Sequence, residues 1–159
     1  AKRAEPRTRK LAPRPRRRAK YRGLYRHGKR VASRYTVGET TVLDEPWAGD
    51  ADGRLFLTRT FEFGEIAKPL TSLIATKRGK TALLQKIGGL VVAQLSSGEQ
   101  TLWVTALGQG ISLAVKNDRI FLTVQPGEAM RLAKVFIVQA PLDQAKYYAP
   151  VNNCTRLDG

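Results

Sequence analysis

From Arg34 onward the chain is cut into short apolar or alternating runs separated by turn residues, the signature of an all-β domain. Tyr35 to Leu43 alternates weakly and is rich in β-branched residues, which suit a pleated, half-buried surface. Asp44-Glu45-Pro46 ends that run, and residues 48–53 read as an exposed loop. Arg54 to Phe63 then places Leu55, Leu57, Arg59, Phe61 and Phe63 on one side of a strand and Phe56 on the other. Further on, Leu90 to Leu95, the turn Ser96-Ser97-Gly98-Glu99 and Thr101 to Leu107 form a hairpin. Ile111 to Val115 is another strand, and Asn117-Asp118 is a two-residue turn into Ile120 to Val124. Pro126-Gly127 turns again, Lys134 to Ala140 is the last clear strand, and a tail with Tyr147 and Tyr148 follows.

Residues 69–87 are ambiguous. Pro69 at the start and the spacing of Leu70, Leu73 and Ile74 predict a helix over 68–76, whereas Thr81 to Ile87 fits a short helix or a strand. The sum is about seven or eight strands with one helical insertion within residues 36–159. That count suits a two-sheet β-sandwich, a jelly roll first among them, with a closed small barrel as the alternative. No repeat of fixed period is visible, which disfavours a solenoid or propeller.

Charge changes the picture more than composition does. The chain of 159 residues has 28 Lys and Arg against 13 Asp and Glu, and its net charge is +15. Fifteen of those bases lie in residues 1–35: Lys2, Arg3, Arg7, Arg9, Lys10, Arg14, Arg16, Arg17, Arg18, Lys20, Arg22, Arg26, Lys29, Arg30 and Arg34. Glu5 is the single acid there, so this segment carries +14 and residues 36–159 only +1. Two regions follow: a basic arm over 1–35 and an electrically balanced β domain over 36–159. The arm has few apolar residues, three prolines and mutually repelling charges, and is expected to stay disordered until a partner neutralises it.

Arginine predominates in the arm, and its planar fork matches phosphate oxygens. Nucleic acid is therefore the expected partner, RNA before DNA, with all fifteen basic residues as candidate contacts. Tyr21 and Tyr25, set among the arginines, could stack on unpaired bases. A mitochondrial transit peptide would share the arginine content, but the prolines spoil its helix. A nuclear-localisation signal remains compatible with the same residues.

Residues for other chemistry are sparse. One cysteine, Cys154, and one histidine, His27, leave no internal disulfide, no zinc site and no Ser/His/Asp triad. Gly79-Lys80-Thr81 ends like a phosphate-binding loop, but Ile74 stands where its first glycine belongs, so Lys77 to Lys80 reads as a basic surface loop. Asp50 and Asp52, near Asp44 and Glu45, form an oxygen-rich loop of a kind that can hold calcium, but without EF-hand spacing it reads first as a solvated acidic loop. Glu62 and Glu65 are not singled out as a catalytic pair, and Trp103 and the phenylalanines read as core. No run is long and apolar enough for a membrane span, and no apolar secretory signal opens the chain. A soluble, intracellular, non-enzymatic protein with no cofactor and no small-molecule substrate is expected.

The organisation, with the arm segment Arg14-Pro15-Arg16-Arg17-Arg18-Ala19-Lys20 leading directly into a near-neutral β body, resembles the coat proteins of small icosahedral viruses, particularly satellite-type plant viruses. That resemblance implies a jelly-roll body that builds a shell from identical copies and an arm that neutralises a packaged single-stranded genome. It implies a location in the virion, and in the host cytoplasm or nucleus during assembly. A neutral body suits edge-to-edge packing, because like-charged neighbours repel. A ribosomal or mitochondrial-ribosomal protein with an rRNA-binding extension is the alternative, although a body resting on RNA would be expected to be basic.

Overall fold

The computed structural model describes residues 19–51, 53–128 and 130–141, and every regular element among them is a strand. In chain order these are β1 (Ala19–His27), β2 (Arg30–Val37), β3 (Thr40–Ala51), β4 (Arg54–Phe63), β5 (Leu70–Thr76), β6 (Ala82–Ile87), β7 (Leu90–Ser97), β8 (Gln100–Gly108), β9 (Ile111–Lys116), β10 (Arg119–Val124) and β11 (Arg131–Pro141). Eight form one antiparallel sheet in the order β1-β2-β3-β4-β11-β8-β7-β6, and three form a second in the order β5-β10-β9. The all-β sandwich expected from the alternating runs is what the chain adopts. Its division into eight strands and three differs from the double-sheet, two-Greek-key order of a jelly roll.

The smaller sheet lies against one face of the larger. Val42, Phe61, Phe63, Val104, Ala133 and Val135 from the large sheet meet Leu113, Ile120, Leu122 and Val124 from the small one, all buried. Strand alternation generates this face: Val42, Phe63 and Phe61 are cross-strand or diagonal neighbours between β3 and β4. Phe61 and Phe63 also stack, with ring centroids 5.7 Å apart. The expected face of β4 is buried only at its second half, since Leu55 and Leu57 are 67% and 47% exposed. A smaller cluster of Val92, Trp103 and Ala140 sits on the opposite face of the large sheet, so Trp103 is core, as expected.

Two expectations need correction and one open choice is resolved. The helix over 68–76 is instead strand β5, paired with β10. A bulge leaves Ile74 without a partner between Leu73↔Phe121 and Ala75↔Ile120, and this extra residue breaks the period of two and makes the apolar spacing look helical. The open choice at Thr81 to Ile87 resolves as strand β6. The expected end of the first strand at Leu43 is also displaced, because β3 continues through Pro46 to Ala51. Its ladder with β2 stops at Ser33↔Asp44, so at Pro46 only β4 is a partner and the missing proline N–H interrupts nothing.

The basic segment departs from expectation too. Residues 19–35 are not a disordered arm: β1 and β2 form an antiparallel hairpin closed at Gly28, whose φ is +58°. The boundary expected at residue 35 falls inside β2. Position explains why the charges permit this. Among the described residues β1 is the last strand of the sheet and exposed along almost its whole length, so its cations keep their water while the β2 ladder satisfies the backbone. Residues 1–18, with nine of the candidate cations, and residues 142–159, with Tyr147, Tyr148 and Cys154, lie outside the described residues.

Candidate nucleic-acid interface

Of the fifteen candidate residues, Lys2, Arg3, Arg7, Arg9, Lys10, Arg14, Arg16, Arg17 and Arg18 lie outside the described residues. The other six all belong to one hairpin: Lys20, Arg22 and Arg26 on β1, Lys29 in the turn, and Arg30 and Arg34 on β2. Register sorts them between the two faces. His27↔Arg30, Tyr25↔Ala32 and Gly23↔Arg34 share one face, and Arg26↔Val31 and Leu24↔Ser33 share the other. The bulge between Tyr21 and Gly23 then exchanges the alternation. It brings Lys20, opposite Thr36, onto the face of Arg30 and Arg34, and it places Tyr21 opposite Tyr35.

The side chains differ in how far they are committed. Arg30 Nη1 donates to Glu45 Oε1 at 2.9 Å, and its guanidinium stands 5.1 Å from the Trp47 ring centroid. Arg34 Nη1 donates to the Tyr25 hydroxyl at 3.3 Å. Arg26 Nε donates to the Gly28 carbonyl at 3.0 Å, which braces the turn. Lys20, Arg22 and Lys29 are exposed and have no ion pair or side-chain hydrogen bond among the described residues. Among the described residues only Arg30 is neutralised by an acid, so there the hairpin retains most of its positive field. Tyr21 and Tyr25 are 69% and 50% exposed, which leaves their rings open to stacking.

Beside the hairpin, on the face of Arg34, lies an open groove of about 460 Å³ lined by Tyr25, Ala32, Arg34, Thr41, Leu43, Glu62, Gly64 and Met130. Its walls are mostly apolar, with Arg34 and Glu62 supplying opposite charges. Leu132, opposite Glu62 in the ladder and 62% exposed, continues the apolar surface beyond it. Sequence reasoning missed both this groove and the Glu45–Trp47 clamp on Arg30. Alternation in β3 and β4 would have put Leu43 and Glu62 on outward positions, but their meeting with Tyr25 required the strand order.

On the inward face, Arg59 binds Asp44 through Nε to Oδ1 at 3.2 Å and through Nη2 to Oδ2. The Arg59 guanidinium also lies 4.7 Å from the Phe61 ring centroid. Burial raises the Tyr35 hydroxyl pKa above 10.0; the Asp44 carboxylate adds to the rise, and Arg59 opposes it. The basic loop at Lys77 to Lys80 is a tight turn, with Gly79 at φ +74° and Lys80 N–H donating to the Lys77 carbonyl at 3.1 Å. Asp50 Oδ1 accepts the Gly53 N–H at 3.2 Å, a turn contact. Among the described residues no group of three or more His, Cys, Asp or Glu is placed to hold a metal.

A family model described as a domain of unknown function (DUF6797) matches residues 1–44, which take in the basic segment, the β1–β2 hairpin and the start of β3. No curated protein matches the chain.

Proposed function

We propose that this chain is a structural, non-enzymatic protein that binds single-stranded nucleic acid, RNA in the first instance, through its basic N-terminal segment and the β1–β2 hairpin, and that assembles with copies of itself as coat proteins do. One observation carries the binding half. Six of the fifteen cations stand on an edge hairpin, where Lys20, Arg22 and Lys29 are exposed and unpaired among the described residues. This is the end of the sheet that continues directly into the denser charge of residues 1–18. An edge strand bearing exposed cationic side chains and exposed tyrosines suits a flexible polyanion better than a second protein, because phosphate spacing need not match a fixed surface.

The self-association half rests on the near-neutral charge of residues 36–159 and on the resemblance in organisation, not on a jelly-roll strand order. In a shell the hairpin would face the interior with the preceding residues, and contacts between copies would fall to the rest of the sandwich. The ribosomal alternative keeps the nucleic-acid contact and dispenses with copies of the chain.

The test is binding of a fluorescent single-stranded RNA of mixed sequence across a salt series. The chain is compared with a variant carrying Lys20→Ala, Arg22→Ala, Arg26→Ala and Lys29→Ala. At about 0.7 logarithmic units per phosphate contact on single strands, the salt slope is expected to fall by up to about 3, evenly across sequences. Binding that ignores salt, or a slope unchanged in the variant, would refute the hairpin as an interface. Sedimentation of the RNA complex then separates closed particles from a monomeric ribonucleoprotein component.

A further inference from the structure

The two ends of the eight-stranded sheet are protected very differently. At one end, β1 carries Lys20, Arg22 and Arg26 and a bulge between Tyr21 and Gly23, so a second β1 would meet like charge and a kinked ladder. At the other end, β6 pairs only with β7 among the described residues, without a bulge. Its single charge is Lys86, and Leu83 and Leu84 are 52% and 42% exposed. Long natural edges are normally blunted by charge, proline or twist. β6, six residues long, has one charge and no proline or bulge.

The direction of its backbone groups follows from the adjoining turn. Gly88 and Gly89 have φ of +56° and +83°, the two positive values of a type I′ turn, so Ile87 and Leu90 exchange both of their hydrogen bonds. Antiparallel alternation then has Gln85 and Leu83 do the same with Val92 and Gln94. Ala82, Leu84 and Lys86 therefore turn their N–H and C=O groups away from β7. The Ala82 N–H donates to the Asn117 carbonyl at 2.7 Å, which agrees with this parity and removes that donor from the edge. Among the described residues, nothing takes those of Leu84 and Lys86.

We infer that β6 pairs antiparallel with β6 of a second copy about a two-fold axis through Gln85. This deepens, and rests on, the self-association half of the reading above. The register is selected by elimination. An axis at Leu84 or Leu83 needs the Ala82 N–H, which Asn117 already holds. An axis at Lys86 sets two lysines face to face, and one at Ile87 leaves Leu84 outside the ladder. With the axis at Gln85, Leu84 exchanges both hydrogen bonds with the partner's Lys86, and Lys86 does so with the partner's Leu84. Leu83 lies across from the partner's Ile87 on one face, and on the other the stem of Lys86 runs beside the partner's Leu84. Two large sheets become one of sixteen strands, and the basic hairpins stand at its far ends, where they repel least.

The short edge makes the contact weak and concentration-dependent, as contacts repeated within an assembly can be. Its geometry supplies the test. At the axis the two Gln85 residues form a non-hydrogen-bonded pair with Cα atoms about 4.5 Å apart, within disulfide range, whereas two copies of residue 83 or 84 stand beyond the limit of about 7 Å. In a Cys154→Ser background, Gln85→Cys is expected to cross-link under mild oxidation at least about tenfold faster than Leu83→Cys or Leu84→Cys. Gln85→Lys, at an exposed position that leaves the fold intact, should abolish the concentration-dependent rise in sedimentation coefficient. Equal cross-linking at all three positions, or self-association unaffected by Gln85→Lys, overturns the β6 contact and leaves self-association through another surface standing. A parent chain that stays monomeric at every concentration overturns both.

Discussion

The Asp44–Arg59 pair offers the sharpest test of how the hairpin end of the sheet is anchored to the core. The perturbation is a double-mutant cycle of Asp44→Ala and Arg59→Met, in which methionine keeps most of the aliphatic stem that packs near Phe61. The Asp44 side chain is 12% exposed and that of Arg59 29%. Removing one member of a fully buried pair costs about 3–5 kcal/mol, chiefly because the other charge is stranded. The cost here is asymmetric. Arg59→Met strands a carboxylate with little access to water, and should cost about 3 kcal/mol. Asp44→Ala strands a guanidinium that is nearly a third exposed and lies over an aromatic ring, so the cost falls to about 2 kcal/mol. In the double variant neither charge is stranded, and the two losses should overlap by about 2 kcal/mol. Urea denaturation of the four proteins measures all three quantities, provided the slopes agree. Additivity within about 0.5 kcal/mol, or a larger loss for Asp44→Ala than for Arg59→Met, would refute the two-point, partly buried interaction described here.

The remaining predictions address pH, backbone and function. Because the folded state holds the Tyr35 proton more tightly than the unfolded state, stability is full below pH 10 and falls as pH rises through the folded pKa. Tyr35→Phe should lose that alkaline decline relative to the parent in urea midpoints measured upward from neutral pH; parallel curves would contradict it. Gly108 has φ +149°, and a Cβ there would run into the Leu132 carbonyl oxygen, so Gly108→Ala should cost at least about 2 kcal/mol. Gly38, at φ +62° with nothing within 4 Å of an added Cβ, is the control: Gly38→Ala should cost only about 1 kcal/mol of backbone strain, and equal losses would refute the steric account. Glu45→Gln releases the Arg30 guanidinium from its one acidic partner and should tighten single-stranded RNA binding several-fold at low salt; unchanged affinity would place Arg30 outside the interface.

Local signals were readable where they depend on neighbours in sequence. The Asn117-Asp118 turn appears with Asn117 at φ +54°, and the hairpin of β7 and β8 falls where the apolar runs placed it. Phe61, Phe63 and Trp103, read as core, are buried. The misreadings share a cause. Leu70, Leu73 and Ile74 have helical spacing, yet β10 offers a ladder of backbone partners that a helix would forgo, and a bulge absorbs the odd residue. Residues 19–35 contain too little apolar surface to fold by themselves, but an edge position requires only one neighbouring strand. In the same way Glu45, read within the segment that ends the first run, sits in β3 with Oε1 2.9 Å from Arg30 Nη1.

What the sequence determined by itself was the β class, most turn positions and the concentration of positive charge in the first 35 residues, because periodicity, turn chemistry and charge density act over a few bonds or need no partner. Tertiary structure alone decided the split into eight strands and three, the clamp of Glu45 and Trp47 on Arg30, and, among the described residues, the edge positions of the basic hairpin and of β6. Those depend on which strands pair across long separations, and pairing is settled by mutual burial and by the supply of unsatisfied N–H and C=O groups, neither of which a local pattern contains.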